Sequence, residues 1–261
     1  MRVALCQFAV GPDPAENAQT IVDFSTAAAA QGADMLVAPE SCLKRFLDPS
    51  EKTNYAEELD GEFVSALAKA SSNSNIVIVA GTKVPAPEGR SFNTLVAVAN
   101  GEVLAAYYKL HLYDAFGLKE SDTTERGTSG VVTIDVAGVR FGLSLCYDVR
   151  FPELYRALVD EGAQALLVPA AWVSGPVKEE HWLTLLRARA IENTCYVVAP
   201  GETGVPSIGR SVAFDPLGLQ LADLGYGKGM TVVDVNPERV AEVRKVLPSL
   251  EHRRFGVVPR F

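Results

Sequence analysis

The chain predicts an α/β fold, a four-layer α-β-β-α sandwich of two mixed β-sheets with helices outside. Three observations carry this. Apolar runs of strand length alternate with amphipathic helical stretches. The order of elements is similar in the two halves, β-α-β-α-β-β-β followed by β-β-α-β-α-β-β-β. No linker rich in Pro, Gly or Ser separates the halves, so residues 1–261 read as a single domain, with 247–261 a C-terminal tail.

The first half opens with a strand at Arg2–Phe8. Asp13 is placed to cap a helix, with Pro14 in its first turn and Gly32 beyond its end. Met35–Ala38 is a short apolar strand that stops at Pro39-Glu40. Ser41 to Asp60 is polar and reads as a working loop, and Asp60 is a candidate cap for a helix through Ala70. Ile76–Ala80 is a continuous apolar strand. Asn93–Ala99 and Val103–Tyr108 form a hairpin across Asn100-Gly101, a pair suited to a type I′ turn. His111 to Gly130 has glycines and few apolar anchors and reads as a loop.

In the second half, Val131–Val136 and Val139–Leu145 form another hairpin across Ala137-Gly138. Pro152 opens a helix to Glu161, where its fixed φ and missing N–H suit the first turn. A strand at Ala165–Pro169, a helix from Lys178 to Glu192 and a strand at Cys195–Ala199 follow. Ile208–Phe214 pairs with Leu219–Leu224, Gly229–Val235 adds a last strand, and a helix at Pro237–Val246 precedes the tail.

Composition bounds the function. A hydrophobic share of 48% and a charged share of 21% over 261 residues support a sizeable core. A net charge of −8 argues against nucleic acid and anionic membrane as partners. Cys6, Cys42, Cys146 and Cys195 are far apart with no C-x-x-C pair. That pattern suits free thiols in a reducing compartment, not a disulfide framework or a metal site. The N-terminal apolar run is too weak for a signal peptide, and no run reaches the roughly 18 apolar residues of a membrane span. The expected localisation is cytoplasmic.

Three residues share one structural position. Glu40, Lys109 and Cys146 each follow an apolar strand, at the carboxyl rim where layered α/β proteins hold ligands. Alone, each has an ordinary role: a loop carboxylate, a strand-end lysine facing water, a small buried hydrophobe. Together they make chemical sense. A thiol that attacks an amide carbonyl needs a base, because free Cys is mostly protonated at neutral pH. Backbone N–H groups where the chain turns toward a helix would lower the Cys146 pKa or bind an oxyanion. Glu40 would take the proton and return it to the leaving amine, provided burial raises its pKa toward neutrality. Lys109 and the backbone N–H of Tyr147 would stabilise the oxyanion.

Three stretches, VAPES around Glu40, YYKLHLYDAF around Lys109 and LCYDVRFPEL around Cys146, resemble the nitrilase superfamily of carbon–nitrogen hydrolases in content, order and spacing. The resemblance runs nearly end to end. It implies the α-β-β-α sandwich, a Glu40–Lys109–Cys146 triad, a thioester intermediate hydrolysed by water, and no metal or organic cofactor. It also implies a second active-site glutamate between the lysine and the cysteine. KESDT places this at Glu120, with Glu125 the competitor. HWLTLLRARAIENTCYVVAP is similar to the Nit-type amidase branch, the deaminated glutathione amidases and, less closely, the omega-amidases. The implied reaction is hydrolysis of a small linear carboxamide to carboxylic acid and ammonia. N-carbamoyl amino acid hydrolase and nitrilase activities of the same superfamily are the alternatives. A homodimer or larger homo-oligomer is implied, with the tail at an interface. Candidate partners for a substrate carboxylate are Lys44, Arg45 and Arg126, and Trp172 is a candidate pocket residue.

Other constellations carry less. His111, two residues past Lys109, suits a supporting hydrogen bond better than the role of base. Ser41-Cys42-Leu43-Lys44 fits S-x-x-K but lacks partner motifs. Gly225–Gly229 lacks the strand–turn–helix setting of a phosphate loop. Arg187, Arg189 and Glu192 read as a salt-bridged helix face, which the resemblance puts near a dimer interface. An isochorismatase-like cysteine hydrolase would have one parallel sheet and fewer hairpins, and a binding protein on this fold would lack a triad member.

Overall fold

Strands buried on both faces set the architecture. The computed structural model describes residues 1–45 and 55–258. In β1 (Arg2–Gln7), Val3 and Leu5 face one apolar layer while Ala4 and Cys6 face another, and all four are fully buried. The alternation is that of a strand covered on each side. The chain continues through α1 (Pro14–Ala30), β2 (Met35–Val37), α2 (Glu62–Ser74), β3 (Val77–Pro85) and the hairpin of β4 (Ser91–Ala99) and β5 (Glu102–Tyr108). Short β6 (Asp114–Ala115), β7 (Leu118–Lys119) and β8 (Thr124–Glu125) lead to the hairpin of β9 (Thr133–Val136) and β10 (Val139–Leu143). Then come α3 (Pro152–Asp160), β11 (Ala165–Leu167), α4 (Lys178–Asn193), β12 (Tyr196–Ala199), β13 (Val212–Phe214), β14 (Gln220–Asp223), β15 (Gly229–Asp234) and α5 (Pro237–Val246).

Two mixed sheets result. One has the order β15-β1-β2-β3-β4-β5, with β8 also paired to β4; the other runs β14-β13-β12-β11-β10-β9. In each, three central strands are parallel and the strands flanking them on the main path pair antiparallel, while β8 pairs parallel with β4. Val3, Leu5, Met35 and Val37 from the first sheet meet Phe141, Leu143, Leu167 and Val198 from the second in a shared core. Ile21 of α1 and Leu67 of α2 cover the outer face of the first sheet, and Leu158 of α3 and Trp182 of α4 cover that of the second. These are the four layers expected.

Local rules explain most boundaries. The Asp13 carboxylate accepts the N–H groups of Ala15 and Glu16 at 2.8 and 3.3 Å, and Pro14 starts α1. Asn100 and Ala137, each followed by Gly, have φ of 52° and 46°, the left-handed conformation that type I′ hairpin turns require.

Four expectations differ. Gly61, not Asp60, caps α2, and the Glu57 carboxylate accepts the Phe63 N–H at 2.9 Å instead. The last strand, β15, leaves the second half and pairs antiparallel with β1, so the halves are interlocked. The segment after His111 holds a two-pair hairpin, β6–β7, turned at Phe116-Gly117, which is too short to leave a periodic pattern. A 3-10 turn, Cys146–Arg150, stands between β10 and α3. Residues 46–54 of the polar loop and 259–261 of the tail lie outside the described residues. No helix among the described residues is long and apolar enough to cross a membrane.

Candidate active site

The strand ends of both sheets deliver the candidate residues to one cavity of about 300 Å³, whose lining includes Glu40, Asn93, Lys109, Glu120, Cys146 and Trp172. Glu40 follows β2, Lys109 follows β5, and Cys146 follows β10. Lys109 Nζ donates to Glu40 Oε1 and to Glu120 Oε2, both at 3.0 Å. Asn93 Nδ2, from β4, reaches the same two carboxylates at 2.9 and 2.8 Å. The remaining Glu40 oxygen accepts the Ala171 N–H at 2.9 Å, and the Cys146 thiol lines the same cavity. A second hollow of about 460 Å³, lined by Glu58, Leu59, Asp60, Val84, Val103 and Tyr108, contains no candidate nucleophile.

Backbone geometry aims these groups. Cys146 has φ of 47°, a left-handed conformation that costs a non-glycine residue about 1–3 kcal/mol. Its N–H is spent on Pro169 O at 2.9 Å. The next N–H, that of Tyr147, lies in the first turn of the 3-10 segment, where helical N–H groups have no partner within the helix. Beneath Glu40, a Cβ on Gly81 would stand 2.5 Å from Ser41 N and 2.7 Å from Glu40 Cα, so only glycine permits this approach.

The charges interlock. Burial alone would raise the Glu40 carboxyl, but the Lys109 cation, the Ala171 N–H and the Cys146 thiol outweigh it and hold it below the ordinary carboxylate value. The expected rise toward neutrality is therefore corrected: Glu40 is ionised at rest. Burial pushes Lys109 down, yet Glu120 and Glu40 hold it well above its ordinary value. The Cys146 thiol is pushed well up, first by burial and then by the charge of Glu40. The lowering expected from backbone N–H groups does not occur, because that thiol sits beside a carboxylate in a buried site. The resting pair is a neutral thiol and an acceptor carboxylate.

The candidates sort themselves by contact. Glu120 touches Lys109 and also accepts the Tyr113 N–H at 2.7 Å, whereas Glu125 turns to Arg90 at 2.5 Å. Trp172 is buried, lines the cavity and donates its indole N–H to Lys178 O at 2.8 Å. The Tyr147 ring is half-buried and packs edge-on against Tyr113 and Phe151. Of the carboxylate-binding candidates, Arg45 pairs with buried Glu202, Lys44 lies 4.8 Å over the Tyr55 ring, and Arg126 is exposed. None of the three is among the residues lining this cavity.

Asp148 supports the rim from behind. Fully buried, it accepts Leu145 N–H at 2.8 Å, Tyr107 OH at 2.7 Å and His111 N–H at 3.2 Å, and contacts His111 Nδ1 at 2.7 Å. It thus ties the strand end bearing Lys109 to the turn bearing Cys146. His111 has the supporting position expected, stacked on Phe151 at 3.8 Å. Arg189 donates to Val149 O and pairs with Glu192 as expected, whereas Arg187 reaches the Gln220 side chain at 3.5 Å and no carboxylate among the described residues. Gly225 and Gly227 offer carbonyls to the Gln7 amide, in a turn. Sequence reasoning missed Asn93, whose signal was an amide inside a buried apolar strand, and the Ala171 N–H, which leaves no signal. Among the described residues no group of three or more His, Cys, Asp or Glu is placed to hold a metal ion.

Comparison with known proteins agrees with this geometry. Residues 2–245 match the carbon-nitrogen hydrolase family. The chain is 42% identical over 257 residues to a deaminated glutathione amidase of Escherichia coli O157:H7, covering 98% of each chain. A CN-hydrolase superfamily protein from Xanthomonas campestris, solved with an arsenic adduct in its active site, superposes with a TM-score of 0.89 at 27% identity, covering 99% of each chain. A variant amidase from Nesterenkonia sp. AN1, solved after Michael addition of acrylamide at its active site cysteine, gives a TM-score of 0.81 at 30% identity, covering 95% of this chain and 98% of that one. The chain belongs to the carbon–nitrogen hydrolase family and is an enzyme of that family.

Proposed function

We propose that the protein is an amidase that cleaves the C–N bond of a small linear carboxamide through a Cys146 thioester. The observation that carries this is the Glu40 carboxylate, which shares one cavity with the Cys146 thiol and holds contacts with Lys109, Asn93 and the Ala171 N–H. Cys146 Sγ attacks the carbonyl carbon while its proton passes to Glu40. The oxyanion forms toward Lys109, whose third N–H is free for it, and toward the Tyr147 N–H. On collapse the C–N bond breaks and Glu40 returns its proton to the leaving nitrogen, which departs as amine or ammonia. Glu40 then takes a proton from water as the hydroxyl attacks the thioester. The C–S bond breaks, the proton returns to sulfur, and the carboxylic acid leaves. Glu120 and Asn93 position Lys109 and Glu40.

The substrate class follows the relatives. We take deaminated glutathione as the leading substrate, with omega-amides of oxo acids next. A single domain over 1–261, a cytoplasmic setting and a homodimer or larger assembly complete the reading. A core shared by both sheets, four buried free thiols, and the exposed Phe255 and Val258 in the tail support these in turn.

The test incubates purified protein with deaminated glutathione, α-ketoglutaramate, aliphatic amides, N-carbamoyl amino acids and nitriles, following product acid by mass spectrometry. Acid from one amide, abolished in Cys146→Ala and Glu40→Gln, supports the proposal. Acid only from a nitrile or an N-carbamoyl compound overturns the amidase assignment.

A further inference from the structure

The hydrolysis steps leave three cavity lysines unused, Lys83, Lys119 and Lys178; Lys119 pairs with Asp122, and of the three Lys178 is the buried one. Lys178 is 4% exposed and lines the same cavity as Glu40, Lys109 and Cys146. Its ammonium donates to Tyr113 OH at 3.0 Å. It stands 4.4, 5.0 and 4.8 Å from the ring centroids of Trp172, Tyr113 and Phe116. Among the described residues no carboxylate pairs with it. Buried lysines are rarely left so, since a charge out of water needs a counter-charge or a solvated head. Three aromatic faces and one hydroxyl keep the ammonium in place, and two of its three N–H donors have no acceptor among the described residues.

Its neighbours add to the imbalance. The Arg150 guanidinium lies 5.0 Å from the same Trp172 ring, and its buried Nε has no hydrogen-bond partner among the described residues. Two cations thus share one indole with no acid paired to either among the described residues. Burial first, and then the charge of Arg150, push the Lys178 ammonium below its ordinary value. Lys178 is also the first residue of α4, where the helix dipole disfavours a cation. The acids beside it do not answer it: Glu179 turns to Arg210, and Glu180 is exposed. Trp172 fixes the position by holding Lys178 O. Such a wall becomes favourable when an anion enters it.

We infer that Lys178 receives a carboxylate carried by the amide substrate, and so selects anionic amides over neutral amides of the same length. This rests on the amidase reading above. Lys178 is a specificity-determining residue, and the hydrolysis steps pass no proton through it.

The test compares succinamate and glutaramate with butyramide and pentanamide, in the wild-type protein, Lys178→Met and Lys178→Arg. Lys178→Met should cut the kcat/KM ratio of anionic to neutral amide about 30- to 100-fold, mainly through KM, with partial recovery in Lys178→Arg. An unchanged ratio overturns the inference. Calorimetry of glutaramate on Cys146→Ala, with and without Lys178→Met, needs no turnover. Equal binding by both overturns the inference whatever the activity. Binding lost with Lys178→Met, in a protein that hydrolyses none of the amides, leaves the carboxylate site standing and sinks the amidase reading.

Discussion

The Ala171 N–H donates to Glu40 Oε2 at 2.9 Å, joining residues 131 positions apart and one sheet's strand-end loop to the other's. The base is thereby held by the whole sandwich, and not by its own loop. Small shifts between the sheets should act on chemistry before they act on stability.

Gly81 tests this. A methyl group there meets the Ser41 and Glu40 backbone at 2.5 and 2.7 Å, so that backbone must move. Gly81→Ala should lower kcat by about 10- to 100-fold while the fold persists. Steady-state kinetics beside a thermal melt would show it. Unchanged kcat would mean that the Glu40 position is not critical.

The charge state of Glu40 predicts the acid side of the pH profile. Lys109, Ala171 and Cys146 overcome burial and hold its carboxyl below the ordinary 4.5. A depressed carboxyl stays ionised as pH falls and loses its contribution only on passing its folded value. The kcat/KM profile should therefore show no acid limb from about pH 7 down to about pH 5. A limb centred near pH 6 would mean that burial wins and Glu40 rests protonated.

Asp148 should matter for stability as much as for rate. Replacement by Ala strands the Leu145 N–H, the Tyr107 hydroxyl and the His111 N–H, all paired to it now. Unfolding by denaturant should reveal a loss of about 3–5 kcal/mol. A loss under about 1 kcal/mol would show that water satisfies those donors.

Glu202 gives the opposite pH sign. Burial, partly offset by Arg45, raises its carboxyl from 4.5 to about 7. The native state then binds the proton more tightly than the unfolded chain. Stability should fall by up to about 3 kcal/mol as pH rises from about 4.5 to about 7, then level off. Chemical denaturation across that range, with Glu202→Gln losing the slope, checks it. A rise in stability over the same range would show that the Arg45 pair dominates.

How much of this was legible in the sequence depended on range. Glu40, Lys109 and Cys146 stood out because each ends an apolar run of strand length, a local signal, and the resemblance of three motifs to the nitrilase superfamily gave them their roles. Both Xaa-Gly hairpins and the Asp13-Pro14 helix start were legible. The sheet joined by β15 was not, since pairing with β1 depends on the closed sandwich and not on either strand's own pattern. Asn93 and Lys178 lie inside or at the edge of elements whose facing is settled only by packing. The charge states of Glu40 and Cys146 went against expectation for a related reason. Each depends on burial and on charged neighbours that no spacing reveals.

The most direct measurement is intact and peptide mass of the wild-type protein, quenched in acid during brief turnover of a cleaved amide. Rapid quenching should catch the acyl group on the protein before water attacks it, and Glu40→Gln, which lacks the base for the first step, should carry none. The account predicts that mass on the peptide containing Cys146, and its absence in Cys146→Ala. An acyl group on Cys6, Cys42 or Cys195, or turnover that survives Cys146→Ala, would contradict it.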